Sequence, residues 1–177
     1  QEVQSTTFLY SDFDEQQARE HWTFHGVRTP SCKSVWIVCD GLPMAVSDLF
    51  IAYSASDILS FCHYYPGWMT LNSFSAFASL GLLPCQEQFF YLRQHFPNAR
   101  IHTLFDKSIS GHVMDCKVST WQINLHAKFW LQGDEIEFKC MGKNFKIPTG
   151  IFSMNQFEKS LNRRSGIRTH KPKAPCT

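Results

Sequence analysis

Through the middle of the chain, short apolar runs alternate with amphipathic segments. Val35-Trp36-Ile37-Val38-Cys39 reads as a strand that stops at the turn dipeptide Asp40-Gly41, and residues 49–53 read as a second strand. Ser56 or Asp57 opens a helix running to about Tyr65, where Pro66-Gly67 ends it. Met69-Thr70-Leu71-Asn72 reads as a short third strand. Residues 84–95 read as a helix, with Phe89, Phe90, Leu92 and Phe96 forming its apolar face. Residues 101–105 give a fourth strand, and a helix follows from Ile109 to about Ile123. Such βαβ alternation predicts an α/β fold with a mostly parallel, Rossmann-like sheet flanked by helices.

Beyond Trp121 the period changes. Residues 127–131 and 135–146 alternate apolar and polar positions around Gln132-Gly133-Asp134 and Met141-Gly142-Lys143-Asn144, which are hairpin turn signals. Ser153 caps a short C-terminal helix. At the other end, residues 14–20 read as one short helix capped by Asp12 or Asp14. The expected organisation is a polar N-terminal segment (1–34), an α/β core (35–125), a β-hairpin and helix extension packed on the core (126–162), and a basic tail (163–177). The Pro- and Lys/Arg-rich composition of that tail predicts an extended or disordered segment that buries little.

Composition adds bounds. A chain of 177 residues that is 44% hydrophobic and 15% aromatic can build one substantial core. Its net charge of +2 is too mild to announce nucleic-acid binding by itself. No apolar run reaches the roughly 18 residues of a membrane span, so no membrane partner is expected. The first residues lack a basic, signal-like pattern, and the absence of an initiator Met suggests a fragment of a longer protein. Seven cysteines stand singly with no Cys-x-x-Cys, which argues against a disulfide framework and predicts a reducing cytoplasm. His21 and His25 precede Cys32 and Cys39, but the wide cysteine spacing and the intervening Trp22 and Phe24 favour packing over zinc.

Two junctions carry the candidate chemistry. The first is Leu49-Phe50-Ile51-Ala52-Tyr53-Ser54-Ala55-Ser56-Asp57, and the second is Ile101-His102-Thr103-Leu104-Phe105-Asp106-Lys107-Ser108-Ile109-Ser110-Gly111-His112. Both leave the carboxyl end of a predicted strand, where open α/β sheets place their ligands. Over roughly residues 35–121 the chain resembles the Toprim domain of primases, topoisomerases and related DNA-processing proteins, in the branch carried by mobile elements. Supporting segments are Thr70-Leu71-Asn72-Ser73, Ala78-Ser79-Leu80-Gly81 and Phe96-Pro97-Asn98-Ala99-Arg100. The resemblance implies a glutamate after the first strand and an Asp-x-Asp pair after a later one. Here Tyr53 stands for the glutamate, and Asp106-Lys107-Ser108 stands for the pair, with Gly111 at the family's distance.

Toprim acids bind Mg²⁺, a hard cation that takes oxygen ligands, and the glutamate serves as general acid or base. A phenol with a pKa near 10 cannot do that work at neutral pH, and Lys107 places a positive charge where the metal would sit. The resemblance therefore implies a vestigial site of Tyr53, Asp57, Asp106 and Ser108, with Asp57 and Asp106 left as weak Mg²⁺ ligands and no other cofactor expected. Each acid also has a plain structural role open to it: Asp57 as a helix N-terminal acid, Asp106 as an Asx-turn acid. Lys107, Ser108, Ser110, Gly111 and His112 at a helix start suit an anion better than a cation. Arg163, Arg164, Arg168, Lys171 and Lys173, with His170 among them, form an acid-free basic tail suited to phosphates or simply to solvent. The expectation is a catalytically degenerate module in DNA processing or mobile-element biology that acts by binding nucleic acid or phosphate, or as an accessory. Its alternatives are an active Mg²⁺-dependent phosphotransfer or nuclease domain recruiting Asp40, Asp57 and Asp106, and a protein-interaction scaffold.

Overall fold

The computed structural model describes residues 6–10, 18–23, 25–69 and 74–171. The fold is mixed α/β, and the chain packs as two compact units, Gln1–Leu104 and Phe105–Thr177. In the first unit, β1 (Thr6–Tyr10), β2 (Ala18–Thr23) and β3 (Gly26–Arg28) form an antiparallel sheet. The residues expected to end an N-terminal helix instead lie in β2. There Glu20 is buried while Arg19 and His21 face solvent, a period of two rather than 3.6. Residues 14–17 of that expected helix lie outside the described residues.

The main sheet of this unit contains β4 (Trp36–Cys39), β5 (Asp48–Ala52), β6 (Ser75–Ser79) and β7 (Arg100–Thr103) in the order β7-β5-β6-β4. Strand β5 runs parallel to both β6 and β7, so the two strands that feed the candidate junctions are neighbours. Strand β4 pairs antiparallel with β6, and the sheet is mixed rather than mostly parallel. The link between β4 and β5, residues 40–47, is shorter than the dozen or so residues a parallel crossover needs. The third strand also differs from expectation. Met69 ends a 3-10 turn (Pro66–Met69), residues 70–72 lie outside the described residues, and the strand beside β5 is the small-residue run Ser75-Ala76-Phe77-Ala78-Ser79, buried throughout.

Helices α1 (Ala55–Tyr64) and α2 (Gln86–His95) complete the unit. Because side chains alternate along β5, Phe50 and Ala52 face one side and Leu49 and Ile51 the other, and all four are fully buried. Phe50 centres one core with Ile58, Phe61, Cys62, Phe77 and Leu104, stacking on Phe77 with ring centroids 5.2 Å apart. Buried Gln88 on α2 donates to the carbonyls of Cys32, Ser34 and Leu80, tying the helix to the chain before β4 and the end of β6. Just past β6, Gly81 has φ +79° and its α-carbon faces the Pro30 carbonyl, where a β-carbon would come within 2.6 Å.

In the second unit, α3 (Ile109–Gln122) precedes a meander of β8 (Ala127–Gln132), β9 (Glu135–Cys140) and β10 (Lys143–Pro148), and then α4 (Met154–Leu161). The two expected turns make a three-stranded antiparallel sheet in the order β10-β9-β8. Its inner face carries the row Phe129–Phe138–Phe145, with Phe138 stacked on Phe145 at 4.9 Å and meeting Phe157 of α4 at 4.8 Å. Cys116, Ile136, Ile147, Phe152 and Leu161 close this core. No helix among the described residues is long and apolar enough to cross a membrane.

The tail departs from expectation. Ile167 is buried, and Ser165 donates from both its amide (3.0 Å) and its hydroxyl (2.5 Å) to Glu158, itself buried on α4. Ser119 of α3 donates to the same carboxylate oxygen at 3.2 Å. A buried carboxylate recruits donors, and here they come from the segment that composition marks as solvated. Lys173 lies outside the described residues.

Candidate functional site

At the first junction, Ser54 caps α1 and forms a capping box with Asp57. Asp57 N donates to Ser54 Oγ at 3.1 Å, and Ser54 N donates to Asp57 Oδ2 at 3.2 Å. Asp57 Oδ2 also accepts from Ser54 Oγ at 2.7 Å. The two amides ahead of Asp57 have a partner that the sequence did not suggest. Ala55 N and Ser56 N donate to the carboxylate of Glu20, at 2.9 and 3.2 Å. That carboxylate also accepts from Tyr10 Oη at 2.6 Å and Trp22 Nε1 at 2.8 Å. With Ile58 N bonded to Ser54 O, all four amides of the first helical turn are satisfied internally. Glu20 is an internal anion at the positive end of the helix dipole. Burial and Glu20 together push the Tyr10 phenol well above its ordinary pKa. Tyr53 gives its carbonyl to Ser79 Oγ at 2.7 Å.

At the second junction, in the other unit, Ser108 caps α3 and accepts from Gly111 N at 3.1 Å. Asp106 Oδ1 accepts from Ser108 N at 2.9 Å and Ser108 Oγ at 2.5 Å, the Asx arrangement open to it from sequence. Ser110 Oγ lies 2.7 Å from Ser108 Oγ. A β-carbon at Gly111 would collide with both the carboxylate and the carbonyl of Asp106, so the glycine lets the acid fold over the helix start. Lys107 points to solvent.

Behind this turn sits Lys171. Its ammonium donates to the carbonyls of Phe105 (3.1 Å) and Asp106 (2.8 Å) and pairs with Asp115 Oδ2 at 2.5 Å. Asp115 is 1% exposed and Lys171 19%, so this is an interior ion pair rather than a tail cation reaching outward. His112 Nδ1 lies 3.9 Å from Asp115. Burial, and then the nearby Lys171 charge, hold the His112 imidazole below its ordinary pKa, against opposing pulls from Asp115 and Asp106. Of the basic tail, Arg163, Arg164 and Arg168 remain exposed, and Arg164 Nη1 lies 3.9 Å from Glu158.

The Mg²⁺ that the Toprim resemblance implies does not fit these residues. The oxygens behind Asp106 hold an ammonium, Asp106 Oδ1 accepts two hydrogen bonds, and Asp57 serves as a helix cap. Among the described residues, no three His, Cys, Asp or Glu side chains are grouped to share a metal ion.

A third polar pair, in the first unit, also escaped the sequence reading. His102 Nε2 lies 2.8 Å from Asp48 Oδ1, at the amino end of β5, with the His102 ring 4.5 Å from Phe50. Burial pushes the Asp48 carboxyl up, but hydrogen bonds from Ser47 and His102 and the charges of His102 and Arg100 outweigh it and leave its pKa below the usual value. A carboxyl held low in the folded state adds stability above its unfolded pKa and loses it as pH falls through the folded value. In thermal melts, the advantage of the wild type over Asp48→Asn should therefore shrink as pH falls below about 4. An advantage that grows on acidification would contradict this assignment.

No family model matches the chain, and neither does any curated protein or solved structure.

Proposed function

We propose that the chain is a catalytically degenerate, Toprim-like module that binds nucleic acid as an accessory in DNA processing or mobile-element biology. The observation that carries this reading is the Lys171 ammonium held by Asp115 and the carbonyls of Phe105 and Asp106. A Toprim-like enzyme needs acids after this strand to hold Mg²⁺, and here a built-in cation takes the neighbouring oxygens. The carboxylate at the other junction, Glu20, already accepts four hydrogen bonds and is spent on structure. What remains for a polyanion is positive charge in solvent: Lys107, Arg163, Arg164 and Arg168. Such contacts bind phosphates without reading sequence.

Fluorescence anisotropy with a labelled oligonucleotide tests the proposal. The intact chain should bind weakly at low salt, with log affinity falling linearly in log salt and unchanged by Mg²⁺ or EDTA. No phosphodiester should turn over. Mg²⁺-dependent cleavage would favour the phosphotransfer reading, and an absence of binding would favour a protein-interaction scaffold.

A further inference from the structure

The outer face of the β8–β10 meander has a composition that the fold does not need. The registers place Lys128, Lys139 and Asn144 side by side in one row, and Trp130, Glu137 and Lys146 in the next. Lys128 and Lys139 are directly opposite, an arrangement that destabilises a sheet. Both are exposed, and neither has an ion-pair partner among the described residues. Lys146, by contrast, is neutralised by Glu137 and lies 3.9 Å from Glu135. Trp130 follows Lys128 on the same face and is 50% exposed, although the stability of the sheet comes from the phenylalanine row on its other side.

We infer that this face is a docking platform for single-stranded nucleic acid, with a base stacked on the Trp130 indole and the backbone phosphates drawn to Lys128 and Lys139. The inference deepens the nucleic-acid reading above and rests on it. Unbalanced lysines complement a polyanion. An indole half exposed on the outer face of the sheet offers a plane to a π-faced base. Duplex DNA hides its bases in the stack and would gain only the lysine contacts.

The test uses the full chain and labelled oligo(dT). Trp130→Ala should weaken binding about tenfold or more, the loss typical of one stacked base, and Trp130→Phe should restore most of it. Lys128→Ala with Lys139→Ala should make the salt slope shallower by roughly 1.4, about 0.7 for each phosphate contact on a single strand. All variants should melt within a few degrees of the wild type, since the substituted side chains face solvent. If the wild type binds oligo(dT) and these variants bind equally well, the platform is overturned while the nucleic-acid reading stands. Equal binding of duplex, or equal competition by poly-glutamate, would also overturn it by removing the stacking component. If the intact chain binds no oligonucleotide at low salt, both readings fall together.

Discussion

Replacing Lys171 with methionine should destabilise the protein by about 3–5 kcal/mol, the usual loss when one member of a buried ion pair is removed. For a chain of this size that corresponds to a fall of roughly 6–20 °C in Tm. Methionine keeps most of the apolar stem but leaves the Asp115 carboxylate, 1% exposed, facing the carbonyls of Phe105 and Asp106 with no cation between them. The double variant Lys171→Met with Asp115→Leu should recover much of the loss, because replacing a whole buried pair by apolar groups is often neutral. His112 provides a second readout. Its pKa is held down by burial and by the Lys171 charge, so removing that charge should let it rise toward its ordinary value in an NMR titration. A Lys171→Met protein with wild-type stability and an unmoved His112 would show that the ammonium is not seated there.

Glu20→Ala should cost a similar amount, about 3–5 kcal/mol, through a different route. Its carboxylate serves four donors: Tyr10 Oη, Trp22 Nε1, Ala55 N and Ser56 N. Each buried donor left unpaired costs about 1–3 kcal/mol, and some of the four would regain water. Glu20→Gln should retain part of the stability, since one amide oxygen still accepts while the NH2 group faces donors. Arg19→Ala, one residue away on the exposed face of β2, should stay within about 0.5 kcal/mol of the wild type. Denaturant unfolding of the three variants separates these values. Equal, small losses for Glu20→Ala and Arg19→Ala would contradict the anchoring of β2 to α1.

Local chemistry was legible in the sequence and long-range pairing was not. Ser153 ahead of α4 announces a helix start by the side chain that satisfies an amide of the first turn, whereas α1 begins at Ala55, capped by Ser54, a residue or two before the Ser56 or Asp57 start expected from the sequence. The turns at Gly133 and Gly142 announce the meander because both glycines take positive φ. The antiparallel direction of β4 could have been read from its short link to β5, but the apolar alternation alone says nothing about strand direction. Strand β6 sets four small residues around Phe77 and is buried on both faces, so it lacks the period that marks a half-buried strand. Glu20 and Lys171 were both misplaced for one reason. A charged residue in a polar stretch reads as solvated unless its partner is known. Those partners lie 35 residues away for Ala55 and 65 or 66 for the carbonyls. Asp57 stands at a helix start and Asp106 in an Asx turn, the plainer of the two uses open to each.

Calorimetric titration of the intact chain with MgCl2 tests the central claim most directly. With the Lys171 ammonium among the oxygens behind Asp106, millimolar Mg²⁺ should give only dilution heats and should leave Tm unchanged. A saturable one-site isotherm that disappears in Asp106→Asn or Asp115→Asn would contradict the account and return the site to metal-dependent chemistry.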